Sequence, residues 1–563
     1  MIPLQRQPWP KVLSTAVLAA VVSSAAIAAP PQTRPRLAVV IVVDQLSMGQ
    51  IDRYEDLLGE GGLRRLIGGG TIARDARYFG APTLTAHGHA TLATGSYADH
   101  HGIVGNEWWE HDAVVHVGHD SAFHLLTRDT TDSDGTAPTA LRAPTFADAL
   151  RWSESRAHVV SISLKDRGAI LFGGARPDAA IWYDPASDRW TTSTYYGEKL
   201  PSWVPADSVS GTRTAWTRFA EPRLCARVAA VEHAPDASEC ARLLYAQRAR
   251  VPVDAPESDE NPGKTFPHRY PAPGERRRGS AFMASPLADE ALFDLATRAI
   301  AGARLGEDSV PDLLFVSASG FDLVGHAFGP ESEESLDALL RLDAAVARLL
   351  RVLDEKIGSG SYVLALTADH GVQPSPAVSL KDGEYAGQLD TAELVRTAEA
   401  ALTKEFGARA YLSPFLSAGF SYRAGAMDGI DRSRADAVVV NALRGVTGIQ
   451  DVYPRSLFVS QLALRGDALP FGRSYFDGRS PDFIVLPRPL WIFGFGGAAS
   501  HGTPYLADTR VPLIFFREGR SHVPIEGTID VASLTPTLAL ILGIAPPAAA
   551  EAPILTAVAE ALR

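Results

Sequence analysis

Three aspartates and three histidines stand at recurring places beside apolar runs: Asp44 follows Leu37–Val43 (LAVVIVV), and Asp322 with His326 comes after Leu313–Val316. Asp369 with His370 follows Tyr362–Leu366, and His501 comes just before Val511–Phe516. Hydrolytic zinc binds imidazole nitrogen and carboxylate oxygen, and two such ions can sit about 4 Å apart, so this set suffices for a pair of metal sites. Each motif alone is weak; their shared placement beside apolar runs unites them. A second concentration is Thr83 to Gly95 (TLTAHGHATLATG) followed by His100 to Asn106 (HHGIVGN), which holds four histidines within fifteen residues. Their spacing scatters them around a helix, so His87, His100 and His101 are expected to hydrogen-bond within the protein, while the role of His89 stays open.

The elements that must position these residues follow from periodicity. Continuous β-branched and apolar runs of this length are strands buried on both faces, the pattern of a mainly parallel sheet. Val159–Leu164, ending at Lys165, is another. Leu336, Leu339, Leu340, Val346, Leu350, Leu353 and Ile357 recur at helical spacing within Ser335 to Ile357, Gly358 stands at the stop, and Ser285-Pro286 with Asp289 and Glu290 makes a helix start. Strands alternating with helices predict an α/β fold with a doubly wound, mainly parallel sheet, whose ligand crevice lies at the carboxyl ends of the strands. The core is read in three parts, 36–184, 285–379 and 496–563, interrupted by two inserted cap subdomains at 185–284 and 380–495. The first insertion holds the Pro/Gly/charge-rich passage SDENPGKTFPHRYPAPGERRRG, and the second a helix from Arg432 to Leu443.

Lys and Arg total 53 against 65 Asp and Glu, a net charge of −12 with no basic arm, which disfavours nucleic-acid binding. Residues 1–28 read as a signal peptide, with Arg6 and Lys11 before an apolar run from Val12 to Ile27 and a small-x-small cleavage site ending near Ala28 and Ala29. Export to the periplasm or medium is therefore expected, with no membrane span left after cleavage. Cys225 and Cys240 are the only cysteines; in an oxidising compartment such a pair is most simply a local disulfide. Oligomeric state is not legible.

Thr85-Ala-His-Gly-His-Ala-Thr-Leu-Ala-Thr-Gly and His101-Gly-Ile-Val-Gly-Asn106 resemble the nucleophile segment of the type I phosphodiesterase/nucleotide pyrophosphatase branch of the alkaline phosphatase superfamily. Asp44, Asp322-x-x-x-His326, Asp369-His370-Gly371 and Ser-His501-Gly-Thr match the same branch in order. Ser163-Leu-Lys165-Asp-Arg167-Gly-Ala is similar to the element of bacterial threonine-nucleophile alkaline phosphatases of the PafA and PhoK type. The resemblance implies two Zn²⁺ ions, one on Asp44, Asp369, His370 and the Thr85 oxygen, the other on Asp322, His326 and His501. It also implies a phosphothreonine intermediate at Thr85, with Asn106, Lys165 and Arg167 binding the phosphoryl group of small phosphate monoesters. The donor set also accepts manganese, cobalt or iron, and a further structural Ca²⁺ is compatible with the acidic loops. The competing function on the same fold is a phosphodiesterase or nucleotide pyrophosphatase; a more distant one is an exported metal- or phosphate-binding protein without catalysis. A sulfatase lacks its Cys-x-Pro-x-Arg context here, and a phosphoglycerate mutase would need a serine nucleophile.

Overall fold

Every residue of β1 (Leu37–Val43) is fully buried, as a strand covered on both faces must be. The computed structural model describes residues 34–128, 135–228, 236–250, 266–460 and 464–563; the expected signal peptide lies outside them. Among the described residues the main sheet has nine strands. In chain order the others are β2 (Thr71–Arg77), β3 (Val159–Ser163), β4 (Ala179–Asp184), β5 (Arg189–Thr191), β6 (Asp312–Ala318), β7 (Tyr362–Thr367), β8 (Arg510–Phe516) and β9 (Ile529–Asp530). Their spatial order is β9-β2-β8-β7-β1-β6-β3-β4-β5. The centre, from β7 through β1, β6 and β3 to β4, is parallel throughout.

Two strands run the other way, β5 against β4 and β8 against β7, and the second decides where His501 goes. β8 pairs antiparallel with β7, Leu366 opposite Ile514 and Leu364 opposite Phe516. Its amino end, which follows His501, therefore lies at the edge where the parallel strands have their carboxyl ends. A histidine that precedes its strand thus reaches the same crevice as aspartates that follow theirs.

The helices that matter for the site are α1 (Thr85–Thr94), α2 (Asp166–Gly173), α3 (Pro286–Gly302), α4 (Gly320–Phe328) and α5 (Glu333–Leu353). α5 begins at Ser332, whose hydroxyl accepts the Ser335 N–H, and ends in a wider turn over Asp354–Gly358. It is amphipathic, burying Leu336, Leu339, Leu340, Val346 and Leu350. Cys225 and Cys240 form a disulfide, and Leu224, Cys240 and Tyr245 around it join the main core. Leu389 to Phe493 contribute a separate, smaller core that includes Leu394, Tyr411, Val439 and Phe483. Among the described residues no helix is long and apolar enough to cross a membrane.

Candidate active site

Asp44 is the first residue beyond β1, and its N–H still donates to Ala318 O at 3.0 Å, extending the pairing with β6 by one step. Asp322 and His326 lie four residues apart on α4, hence on one helix face, and His326 Nε2 is 3.2 Å from Asp322 Oδ1. The start of α4 is held by Asp289, whose carboxylate oxygens accept the N–H groups of Gly320 and Phe321, both at 2.9 Å. Burial pushes the Asp289 carboxyl up to about 7. Asp369 and His370 follow β7 after the single residue Ala368.

The tautomers of three histidines are set by backbone carbonyls, which only accept. Nδ1–H of His326 donates to Ala499 O at 2.9 Å, that of His370 to Gly371 O at 2.9 Å, and that of His501 to Thr83 O at 2.7 Å. Each ring therefore presents Nε2 as its lone-pair nitrogen, the arrangement metal-binding histidines use. His370 stacks on His501 with ring centroids 3.5 Å apart, and His501 Nε2 is 3.2 Å from His326 Nε2. Burial pushes His370 down to about 4, and burial with the neighbouring His370 and His326 holds His501 well below the usual histidine range.

Two clusters of donor atoms could hold a cation here, each with its atoms within 4.8 Å of one another: Asp322, His326 and His501 in one, Asp44, Asp369 and His89 in the other. His89, however, has both nitrogens engaged, Nδ1 with Thr85 O and Nε2 with Ser317 Oγ, each at 2.9 Å. Ser317 Oγ in turn donates to Asp44 Oδ1 at 3.2 Å. His370 Nε2 instead lies 3.3 Å from Asp369 Oδ2, and both atoms are buried with no hydrogen-bond partner. A buried carboxylate oxygen and a buried imidazole nitrogen facing each other unpartnered are costly alone and fit a shared cation. His370 is thus the better donor for this group, with His89 bracing it from behind.

Thr85 is the first residue of α1 and is almost fully buried. Asn106 Oδ1 accepts the Ala86 N–H at 2.9 Å, which leaves the Asn106 amide hydrogens to donate elsewhere. Lys165 Nζ donates to Asp322 Oδ2 at 2.6 Å and to Asp44 Oδ2 at 3.1 Å, so one ammonium joins the two acidic groups. Burial opposes its charge, but Asp322 and Asp44 outweigh burial and raise its pKa. Arg167, on the first turn of α2, has a buried Nε without a hydrogen-bond partner. Asn106, Lys165 and Arg167 line one cleft of about 490 Å³, together with His116 and His119.

Two other histidines of the 83–106 segment, His87 and His101, serve the interior. His87 Nε2 pairs with Ser474 Oγ at 2.9 Å, and burial pushes its pKa down to about 3. His101 Nδ1 accepts the Ile103 N–H and its Nε2 faces Thr91 Oγ1, which makes it a neutral hydrogen-bonding ring. His100 is exposed beside Asp99. Sequence reasoning missed Gln45, Asp289 and Ser317. Asp289 was visible only as part of a helix start, and nothing local marks the other two.

A sequence-family profile for type I phosphodiesterase/nucleotide pyrophosphatase matches residues 38–503. The alkaline phosphatase PafA of Elizabethkingia meningoseptica is 31% identical over 353 residues, and PhoV of Synechococcus elongatus, also an alkaline phosphatase, is 33% identical over 351 residues. These alignments cover 61% and 62% of this chain and span 61% of the length of each relative. The crystal structure of wild-type PafA superposes with a TM-score of 0.81, covering 93% of this chain and 98% of that one at 24% identity, which establishes a common fold. With the family profile matching most of the chain, the protein belongs to the type I phosphodiesterase/nucleotide pyrophosphatase family.

Proposed function

We propose that this chain is an exported, metal-dependent alkaline phosphatase that hydrolyses phosphate monoesters through a phosphothreonine at Thr85. The observation that carries the choice of monoesters is the cleft that Lys165 and Arg167 share with Asn106. A monoester dianion presents more anionic oxygen than a diester, and two fixed cations answer that charge. The names of the similar proteins, PafA and PhoV, support the same activity.

Asp44, Asp369 and His370, with the Thr85 hydroxyl, would hold one divalent ion, and Asp322, His326 and His501 the other; Zn²⁺ suits this donor set. The facing, unpartnered Asp369 Oδ2 and His370 Nε2 are what favours the fit. Bound there, the ions supply Lewis acidity toward phosphoryl oxygen and lower the pKa of hydroxyl and water.

The rest is done by the chain's own residues. Thr85, at the amino end of α1, stands at the positive end of the helix dipole, which favours negative charge. Its Oγ bonds to phosphorus as the bond to the leaving oxygen breaks, and the proton it gives up ends on that oxygen as the alcohol; water then cleaves the phosphothreonine, its hydroxyl joining the phosphate and its other proton restoring the Thr85 hydroxyl. Asn106, braced by the Ala86 N–H, directs its amide hydrogens at the phosphoryl oxygens, and Lys165 and Arg167 stabilise the charge spread over them in the transition state.

The test is kcat/KM on p-nitrophenyl phosphate and on its methyl diester, before and after chelation and zinc repletion. Zinc-restored activity with the monoester ahead by tenfold or more supports the proposal. A diester preference keeps the family and gives Lys165 and Arg167 another role, that of a phosphodiesterase, the activity for which the family is named.

A further inference from the structure

Gln45 follows Asp44 and adopts φ +71°, a left-handed conformation that is uncommon for any residue but glycine. It is fully buried. The Leu46 N–H donates to Val43 O at 3.2 Å, so the chain turns sharply at this point. Glycine would adopt this φ without strain, so the backbone alone gives no reason for a long polar side chain here. The reason lies in what that side chain and its own N–H reach.

The Gln45 backbone N–H donates to Asp369 Oδ1 at 3.2 Å, and Gln45 Nε2 donates to Asp322 Oδ1 at 2.8 Å. One residue thus takes one oxygen from a carboxylate of each candidate metal group. By holding Asp369 Oδ1 it leaves Oδ2 to face His370 Nε2. By holding Asp322 Oδ1, which also faces His326 Nε2 at 3.2 Å, it fixes the rotation of that carboxylate against the helix carrying both ligands. An amide orients a carboxylate without cancelling its charge, whereas the Lys165 ammonium on Asp322 Oδ2 does cancel it. The amide lies so close to α4 that a Cβ on Gly325 would stand 1.7 Å from Gln45 Oε1, so the glycine next to His326 is what admits it.

We propose that Gln45 is a positioning residue that ties the Asp322 and Asp369 carboxylates together and thereby sets the zinc affinity of the Asp322/His326/His501 group. This rests on the metal-dependent reading given above. The Asp369 side is held by the backbone N–H and survives substitution; the Asp322 side is held by the side chain and does not. Loss of the amide therefore acts on one ion far more than on the other.

The experiment is calorimetric titration of the chelator-stripped full chain with zinc, for the unaltered protein, Gln45→Gly and Gln45→Met, with folding followed by urea denaturation. Gln45→Gly relieves the backbone and keeps the N–H; Gln45→Met keeps the length and serves if the glycine variant does not fold. The expected result is that one zinc equivalent weakens by about 10- to 100-fold while the other changes by less than about threefold. The weakened equivalent should be the one removed by His326→Ala, so that adding Gln45→Gly to His326→Ala leaves the one remaining equivalent within about threefold of its affinity. Two equivalents bound as in the unaltered protein, or weakened equally, overturn the role assigned to Gln45. Failure of the unaltered protein to bind two zinc ions overturns the metal-dependent reading itself, and the proposal with it.

Discussion

Gly88 and Asp369 approach so closely that a Cβ on Gly88 would lie 2.1 Å from the Asp369 carbonyl oxygen. The glycine between His87 and His89 is therefore what lets α1, with Thr85 at its start, rest against the backbone of a candidate metal ligand. Gly88→Ala is expected to push the helix away, costing about 1–3 kcal/mol of stability as overpacked interiors do, and to lower kcat more than it raises KM. Urea denaturation beside steady-state kinetics checks both; unchanged kcat would mean that Thr85 is positioned by something else.

Lys165→Ala and Arg167→Ala should each lower kcat/KM for p-nitrophenyl phosphate by about 100- to 1,000-fold, the range seen when a transition-state donor is removed. The methyl diester should suffer less, because it presents less anionic oxygen to the lost cation. Equal losses on both substrates would remove these residues from phosphoryl recognition.

Chelation should lower thermal stability as well as activity. Asp44, Asp322 and Asp369 are buried carboxylates, and Lys165 is the side-chain cation bonded to two of them. Zinc at about 100 times its Kd adds about 2.7 kcal/mol per site, so the melting temperature should recover on adding zinc to the stripped protein. A melting temperature indifferent to chelator and zinc would count against two resident ions.

Asp508 is not itself a candidate ligand, though its carbonyl oxygen accepts the N–H of Gly371 beside His370 at 2.7 Å, and it offers a pH test. Its Oδ2 accepts the Thr503 N–H at 2.8 Å and hydroxyl at 2.7 Å, its Oδ1 is buried without a partner, and burial pushes its pKa up to about 7. The folded protein therefore keeps a proton that the unfolded chain releases above its ordinary value of 3.8. This contribution to stability is fully present below that value and is lost as pH rises toward about 7. Asp508→Asn cannot titrate, so its urea midpoint should fall less than that of the unaltered protein between pH 4.5 and pH 7.5. Parallel curves would mean that Asp508 is already ionised when folded.

The disulfide closes a separation of 15 residues. In the chain-entropy account such a loop is worth about 3 kcal/mol, so Cys225→Ala/Cys240→Ala should lower unfolding free energy by that order. Activity of the folded fraction should change little, since Leu224 and Tyr245 beside the bridge pack into the core and not the cleft.

The strands and the residues that flank them were legible because a strand buried on both faces must be a continuous apolar run, and such a run is visible in a single chain. The ends of Leu37–Val43 and Tyr362–Thr367 are marked by the first polar residues after them, so Asp44 and Asp369 could be placed at a sheet edge without coordinates. Asp322 and His326 could likewise be placed after an apolar run, whereas the helix that carries both on one face is supplied by the structure. The motifs also sufficed to mark a resemblance to the family.

Tertiary structure decided the rest, because the deciding contacts join residues far apart in the chain. His87 is satisfied by Ser474 and His501 by the Thr83 carbonyl, partners no local pattern announces. The reversal of β8 follows from its antiparallel pairing with β7 on one side and β2 on the other, which the composition of Val511–Phe516 does not encode. Gln45 looks like any polar residue after a strand; only when β1, β6 and β7 lie side by side do Asp322 and Asp369 come within reach of its two N–H groups. Sequence determines which groups the chain can offer to a cation or a phosphate. Packing determines which of their atoms are already taken by hydrogen bonds, and so which remain to do chemistry.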